Sequence, residues 1–480
     1  MSGTLPQIWM NVTTSANWQR PPVGIVRVER SLRDELAKLY GSRFRQCVWH
    51  GEHFVEWVPP PVAADGGKPV TQDAAPTQPK IQPALPMIFP ILPRKQALLA
   101  LGQGLLSLMP GWLRPYFNRF LYRVRPRIGR VLASERIRRL VARLRGSASA
   151  HPMAAPVLMP KVSGSPEPKA LFSPGDVLIS IGLDWDNSFS KHFFALRKST
   201  GVRIVTCCYD LIPVLYPQYC VGDVARKFMS YFLDLADGSD LILCISKQSE
   251  KDLNDMLHRT GGARPPTHVF PLGDNVPLAT TEELSPAVKA ICQEPFILFV
   301  STIERRKNHE VLYRAYHLLC SQEKRANLPK LVFVGMQGWG VGELMKDIEL
   351  DPLTHGLIVR LNHVSDTELR ALYEAAQFCV YPSLYEGWGL PVGEALSLGK
   401  AIICSNRGSL PEVGGEAVRY VNPWDPQAWA DEIYRMATDS DYRSSLEAKV
   451  RNEYQPRTWS DAAASVKNAI DSLVSEVRKS

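Results

Sequence analysis

Two glutamates, Glu386 and Glu394, bracket the densest chemical string in the chain, Tyr381-Pro-Ser-Leu-Tyr-Glu-Gly-Trp-Gly-Leu-Pro-Val-Gly-Glu-Ala395. The apolar residues before it read as a strand ending near Pro382. A glycine-broken loop follows, and Pro391 suits the first position of a helix, where its missing N–H costs nothing. The backbone N–H groups of Val392 and Gly393 are then expected to be free and to face the loop beyond Leu390. With the helix dipole they would make an anion site. Gly387 and Gly389 read as places where a ligand approaches the backbone closely. Two carboxylates beside a phosphate-friendly helix end suit a ligand that carries hydroxyls next to phosphate, as a nucleotide sugar does. Taken singly, Glu394 could merely complement the dipole and Glu386 could be solvated. The whole string is more than packing requires.

A second group of charges, Arg306 and Lys307, follows the apolar run Pro295–Ser301. Two cations after a strand match two phosphates, and the same pair would serve equally as solvated surface charge. Asp184-Trp-Asp186 has the spelling of a metal-binding acidic pair. It follows the Asp176–Ile181 strand in the other half of the chain and reads as acceptor-loop or surface residues. No metal site is expected. The nine cysteines are odd in number, contain no C-x-x-C and sit mostly in apolar runs, which argues against a disulfide framework or zinc and for a reducing compartment.

The elements that must hold these residues alternate. Apolar runs at Gln7–Asn11, Asp176–Ile181, Val202–Cys208 and Asp240–Cys244 are interleaved with helical patterns at Gly24–Tyr40, Asp223–Ala236 and Lys247–Leu257. In the second half, strands are expected at Pro295–Ser301, Lys330–Gly335, Leu357–Leu361, Phe378–Pro382, Lys400–Ser405 and Ala417–Val421. Helices are expected at Asn308–Cys320, Asp366–Ala376 and Pro391–Leu398, the second opened by a Ser365/Glu368 capping box. This alternation predicts an α/β protein with two parallel, doubly wound, Rossmann-like sheets. Ligands then bind beyond the carboxyl ends of the strands, in the cleft between the domains.

The 480-residue chain carries a formal charge of +8, with eleven Arg and one Glu between Trp112 and Arg145. The remainder is close to neutral. From Val58 to Pro93 there are ten prolines, and a second Pro-rich stretch runs from Pro152 to Pro174. The region 58–170 therefore reads as a long insertion into the first domain. Its Arg-with-aromatic composition, beside the apolar Leu85–Leu113 run, is that of an interfacial segment. An anionic membrane surface bound through 85–145 is the expected partner. Nucleic acid, the rival for clustered Arg, is set aside because of that apolar neighbour. No apolar run reaches the roughly 20 residues of a membrane span, and Met1–Asn11 lacks the features of a signal peptide.

The Glu386-to-Glu394 string resembles the E-x7-E signature of the retaining GT-B glycosyltransferases of family 4. Phe299-Val-Ser-Thr-Ile-Glu-Arg-Arg-Lys-Asn308 is similar to that family's pyrophosphate loop, with Lys307 on the phosphate-binding lysine. Thr302 stands where the family usually has arginine, and Arg306 is the residue that could supply the charge. Val332-Phe-Val-Gly335 resembles the strand ending in glycine at the nucleotide. Ser405–Gly414 and Thr458-Trp-Ser460 resemble later family segments. In the first half, Pro21–Arg30 resembles the glycine-bearing loop that brings Gly24 to the donor phosphate. Arg27 and Arg30 there read nearly as well as ordinary surface residues. Thr206–Pro213 resembles the family's His-Asp strand end, with Tyr209 in place of His and Asp210 in place of Asp.

The resemblance implies a GT-B fold of two Rossmann-like domains facing across a cleft. The acceptor-side domain would be 1–277, the nucleotide-sugar domain 278–457, and a terminal helix, 458–480, would cross back to the first. It implies a nucleotide-sugar-dependent, retaining hexosyltransferase with no cofactor and no obligatory metal. The protein would be cytoplasmic, peripherally associated with the inner face of the cytoplasmic membrane, and its acceptor lipid-linked or a polysaccharide. Glu386, Lys307 and Asp210 would be the catalytic positions. Glu394, Arg306, Gly24, Gly335, Gly389, Leu390 and Val392 would bind the donor, with Glu394 on the ribose. The Thr302–Asn308 form of the loop points to mannose on GDP. A UDP-sugar donor and a non-catalytic sugar- or lipid-binding scaffold are the alternatives.

Overall fold

The computed structural model describes residues 5–18, 24–58, 171–187, 189–220, 222–276 and 283–477. Residues 59–170, which hold the Pro-rich and Arg-rich stretches and thus the expected 85–145 membrane contact, lie outside the described residues.

The first sheet is built from β1 (Ile8–Asn11), β2 (Phe44–His50), β3 (His53–Glu56), β4 (Val177–Ser180), β5 (Arg203–Cys208), β6 (Leu241–Cys244) and β7 (Thr267–Val269). Helices α1 (Gly24–Tyr40) and α2 (Lys247–Thr260) belong to the same half. Strand order is β3-β2-β1-β4-β5-β6-β7. β1, β4 and β6 are buried along their whole length, as strands covered on both faces must be. The sheet is not wholly parallel, however. β3 runs antiparallel to β2, with His50 opposite His53. Only Gly51 and Glu52 join the two strands, and two residues can close a hairpin but not the crossover a parallel neighbour needs.

The second sheet contains β8 (Phe296–Val300), β9 (Lys330–Val334), β10 (Ile358–Leu361), β11 (Phe378–Tyr381), β12 (Ile402–Ser405) and β13 (Arg419–Val421), in the order β10-β9-β8-β11-β12-β13. All of its neighbouring strands are parallel. Helices α3 (His309–Ser321), α4 (Asp366–Ala375) and α5 (Leu390–Ser397) connect or follow these strands. The capping box forms at α4: Ser365 Oγ accepts from the Glu368 N–H, and the Glu368 carboxylate accepts from the Ser365 N–H. The last helix, α6 (Trp459–Val477), lies against α1, with the Tyr40 hydroxyl 3.3 Å from the Asp471 carboxylate.

Strand order decides where chemistry can sit. The first sheet reverses its winding between β1 and β4, the second between β8 and β11. At such a reversal the loops leave in opposite directions and open a crevice at the carboxyl ends of the strands. The loop bearing Arg306 and Lys307 leaves β8, and the loop bearing Glu386 leaves β11.

Candidate active site

The β8 loop closes as a tight turn at Arg305–Lys307. Asn308 follows with φ of 61°, and its side-chain amide donates to the carbonyls of Pro382 and Pro423 at 3.2 and 2.8 Å. That clamp sets the β8 loop against the exit of β11. As a result Lys307 Nζ lies 2.6 Å from Glu386 Oε1, and Arg306 lies 2.8 Å from Glu386 Oε2. Arg306 also donates to the Tyr385 carbonyl at 2.7 Å and pairs with Glu304 at 2.8 Å. Glu386 is buried, not solvated.

Two hydroxyls complete this carboxylate. Ser383 donates to Glu386 Oε1 at 2.6 Å, and the Tyr381 hydroxyl lies 3.3 Å from the same oxygen while accepting from Lys307 at 2.9 Å. Sequence reasoning assigned neither a role. Both stand in the signature string, but nothing in their spacing says which oxygen they reach. Burial by itself would raise the Glu386 carboxyl; Arg306 and Lys307 outweigh it and hold the group at about 2. Burial, with Arg306 alongside, pushes the Lys307 ammonium down against the pull of Glu386. Burial also opposes the charge on Arg306, yet Glu386 and Glu304 keep it firmly protonated.

The other sheet supplies the facing wall. Asp210 leaves β5 and accepts from the Ile212 N–H at 3.0 Å. Burial pushes its carboxyl up, and the Arg306 charge pulls the other way. Tyr209, standing where the resembled family has His, turns inward: its hydroxyl donates to the Ile181 carbonyl at 2.5 Å. Between the walls runs a seam of protein contacts. Ser249 Oγ, which donates to the Tyr209 carbonyl of its own half at 2.8 Å, also reaches the Gly387 carbonyl across the seam at 3.4 Å, and the Tyr385 hydroxyl donates to Asp252 at 2.5 Å. The Glu412 carboxylate accepts from the Lys247 and Gln248 N–H groups at 2.8 and 2.7 Å, capping the start of α2 from across the cleft.

Glu394 lies deeper, in the first turns of α5. Its Oε2 accepts from the Tyr373 hydroxyl at 2.9 Å, and its Oε1 pairs with Arg27 of α1 at 2.6 Å. Arg27 is thus no ordinary surface arginine. Arg30 donates to the Ser15 and Trp18 carbonyls.

Several expectations need correction. The glycines of the signature do permit a close approach, but the partner is protein. A Cβ on Gly387 would fall 2.3 Å from the Tyr209 carbonyl, and one on Gly389 would fall 2.6 Å from Leu410. Gly393 abuts the Asp274 carboxylate in the same way, at 2.2 Å. The Val392 N–H is not free: it donates to the Gly389 carbonyl at 2.9 Å, because Gly389 at φ of 111° tightens the turn that leads into Leu390. Gly335 has a packing reason of its own, since a Cβ there would lie 2.0 Å from the Ser301 carbonyl of the β8 loop. Gly24, at φ of 51°, has open space where a Cβ would sit. Asp184 is neither surface nor loop. It is buried behind β4, accepts from Ser180 Oγ at 2.8 Å, and is pushed up to about 8 chiefly by burial. Asp186 is exposed, so the two carboxylates sit in unlike surroundings, one buried and one at the surface.

A cavity of about 760 Å³ lies against α3, lined by Arg305, His309, Tyr313, His317 and Val341 among others. None of Glu386, Lys307, Glu394 or Asp210 lines it. The opposed charges of Glu386, Arg306 and Lys307 converge in the seam between the sheets, apart from this hollow.

A model of the glycosyl transferases group 1 family matches residues 281–453. Over 268 residues the chain is 31% identical to the O-antigen chain mannosyltransferase B of Escherichia coli, covering 56% of this chain and 70% of that protein. It is 28% identical over 267 residues to the serotype-specific mannosyltransferase WbdA of Escherichia coli, covering 54% of this chain but only 32% of that longer relative. Among solved structures, the N-terminal domain of trehalose-6-phosphate phosphatase from Candida albicans superposes with a TM-score of 0.50 at 16% identity, covering 63% of this chain and 71% of that one. That likeness is one of fold.

Proposed function

The chain belongs to the glycosyl transferases group 1 family, with the GT-B fold, and on that premise we propose that it is a retaining hexosyltransferase acting in surface glycan synthesis. The observation that carries this reading is the buried Arg306–Glu386–Lys307 cluster at the reversal of the second sheet, facing Asp210. The arriving diphosphate competes with Glu386 for both cations, and the freed carboxylate accepts from a sugar hydroxyl. Preset cations at the point where charge develops are usually the largest catalytic contribution. In the step itself the acceptor oxygen bonds to the anomeric carbon. The bond from that carbon to the phosphate oxygen breaks with its electron pair going to the phosphate. The acceptor proton passes to the departing phosphate on the same face. Asp210 lines the sugar side, and Glu394 holds the ribose hydroxyls.

Mannose carried on GDP is the favoured donor. The two relatives named above are mannosyltransferases, and GDP is carried over from the family resemblance of the Thr302–Asn308 loop. The acceptor is a lipid-linked or polysaccharide glycan. A panel of nucleotide sugars tested by thermal shift identifies the donor, because a ligand that binds only the native state raises Tm. Lys307→Ala and Glu394→Ala should weaken binding of that donor and lower turnover with the fold retained. Excess chelator should leave transfer intact, since side chains carry the diphosphate charge. Wild-type rates in both variants would remove the donor-site assignment. Activity lost to chelator and restored by Mg²⁺ or Mn²⁺ would replace the role given to Lys307.

Attachment to membrane is proposed for 85–145 on its composition. No helix among the described residues is long and apolar enough to cross a membrane. Deleting 85–145 should abolish sedimentation with anionic vesicles and leave nucleotide binding unchanged. Binding of the intact protein should weaken as salt rises, since exposed charges are screened over about 10 Å at 0.1 M. Equal sedimentation of both forms would sink the membrane assignment.

A further inference from the structure

Among the described residues, Arg27 is the one residue of the first sheet's layer seen to reach the carboxylate assigned to the ribose. It sits in the first turn of α1, half-buried, at the reversal between β1 and β4. Its guanidinium forks. One nitrogen lies 2.6 Å from Glu394 Oε1, and the other donates at 2.8 Å to the carbonyl of Asn275, in the segment that leads out of the first sheet after β7. Arg27 therefore touches a helix of one domain, the connecting segment and a donor-site side chain of the other domain at once. Its side chain is 17% exposed and that of Glu394 is 5% exposed. A contact this dry and short is not a surface ion pair of the kind that contributes little.

The hydrogen bonds to Glu394 leave acceptor capacity for a diol. Oε1 takes Arg27 and Oε2 takes the Tyr373 hydroxyl. Each carboxylate oxygen accepts two hydrogen bonds. One acceptor position per oxygen thus remains, which is the complement of two adjacent hydroxyl donors. With both oxygens already fixed by protein donors, the carboxylate needs no reorganisation when those hydroxyls arrive. Fixing it requires α1 and α5 to be held together, so recognition of the diol and approach of the two sheets become one event.

We infer that Arg27 is a positioning residue: it sets Glu394 for the vicinal hydroxyls of a nucleoside diphosphate and makes their recognition depend on the two sheets being closed on each other. This rests on the reading of Glu394 as the ribose contact. Lysine is a poor substitute, because a single ammonium cannot hold the Glu394 oxygen and the Asn275 carbonyl in one planar fork.

The test is calorimetric, on the full chain, with GDP and UDP and their 2′,3′-dideoxy counterparts as probes. For whichever base binds, the wild-type protein should prefer the ribonucleotide by roughly tenfold or more, the worth of a hydrogen bond to a charged group. In Arg27→Ala that preference should collapse toward unity, as it should in Glu394→Gln, while affinity for the dideoxy nucleotide stays within about twofold of wild type. Arg27→Lys should recover part of the preference, and the Arg27→Ala, Glu394→Gln pair should be non-additive. A full preference retained in Arg27→Ala and in Arg27→Lys would reduce Arg27 to a brace between domains. Tighter ribonucleotide binding in Arg27→Ala would show that the arginine competes with the ribose, and the inference would be overturned. A wild-type protein indifferent to the two hydroxyls would instead remove the ribose assignment of Glu394 itself, and the inference with it.

Discussion

Glu386→Ala should be the most damaging single substitution in the described part of the molecule. It leaves Arg306 and Lys307 buried side by side with their shared carboxylate gone. Removing one partner of a buried ionic cluster typically costs about 3–5 kcal/mol, because the remaining charges keep their desolvation penalty and lose their compensation. Glu304 still pairs with Arg306, so Lys307 is the group left exposed to that cost. Transfer should fall by at least about a hundredfold, since the cations proposed to meet the diphosphate are no longer held in place. Glu386→Gln separates charge from shape: it keeps an acceptor for Ser383 and Tyr381 and drops the charge. The pH dependence follows from the carboxyl being held at about 2 against an ordinary value of 4.5. A depressed carboxyl stabilises the fold above its unfolded value and loses that stabilisation as pH falls through the folded one. The stability gap between wild type and Glu386→Gln should therefore be flat from neutral pH down to about 5 and shrink below about 4.5. Urea denaturation across that range is the measurement. A Glu386→Ala protein within about 1 kcal/mol of wild type and within a few-fold in rate would mean that the cluster carries neither role.

Gly387→Ala should injure turnover far more than nucleotide binding. The added Cβ falls 2.3 Å from the Tyr209 carbonyl and 2.8 Å from Asp210 Cβ. The nearest obstacle is backbone, so the clash cannot be relieved by a side chain swinging away. The β11 loop and the β5 loop must part. That moves Glu386 relative to Asp210, and a displacement near 1 Å between reacting groups can cost about a hundredfold in rate. The nucleotide contacts proposed at Glu394 lie on the far side of Gly389 and should persist within a few-fold. Stability should fall by about 1–3 kcal/mol, the usual cost of overpacking a tight site. Steady-state rates and calorimetric nucleotide affinity, measured on the same preparation, separate the two effects. An unchanged rate would mean that the seam at Gly387 can relax without consequence and that Asp210 does not act beside Glu386.

Much of the second half was legible because its signals are local. An apolar run of four or five residues becomes a buried strand wherever both faces are covered, and β8, β9, β11 and β12 obey this. Ser365 and Glu368 announce a helix start because the two hydrogen bonds of a capping box close within four residues. Glu386, Lys307 and Glu394 stood out because charge beside glycine, proline and a strand end is unusual whatever the fold. The hairpin of β2 and β3 was less visible, since its residues neither alternate cleanly nor form an unbroken apolar run.

Which donor each oxygen would take could not be read from one dimension. Arg306 and Lys307 meet Glu386 from 79 or 80 positions away, and Arg27 meets Glu394 across 367. Such pairs depend on strand order, and strand order is set by how whole helices cover a sheet. The same gap explains the glycines. Their lack of a side chain is local knowledge, and a close approach could be inferred from it. That the approaching groups are Tyr209, Leu410 and Asp274, and not a ligand, follows only from the long-range packing. Asp184 makes the point in reverse. A carboxylate beside Trp185 in a loop looks solvated by composition, yet the reversal between β1 and β4 folds it behind the strand, where Ser180 is its hydrogen-bond donor and burial decides its proton. Local chemistry selects the groups that can act; the topology of the two sheets selects which of them meet.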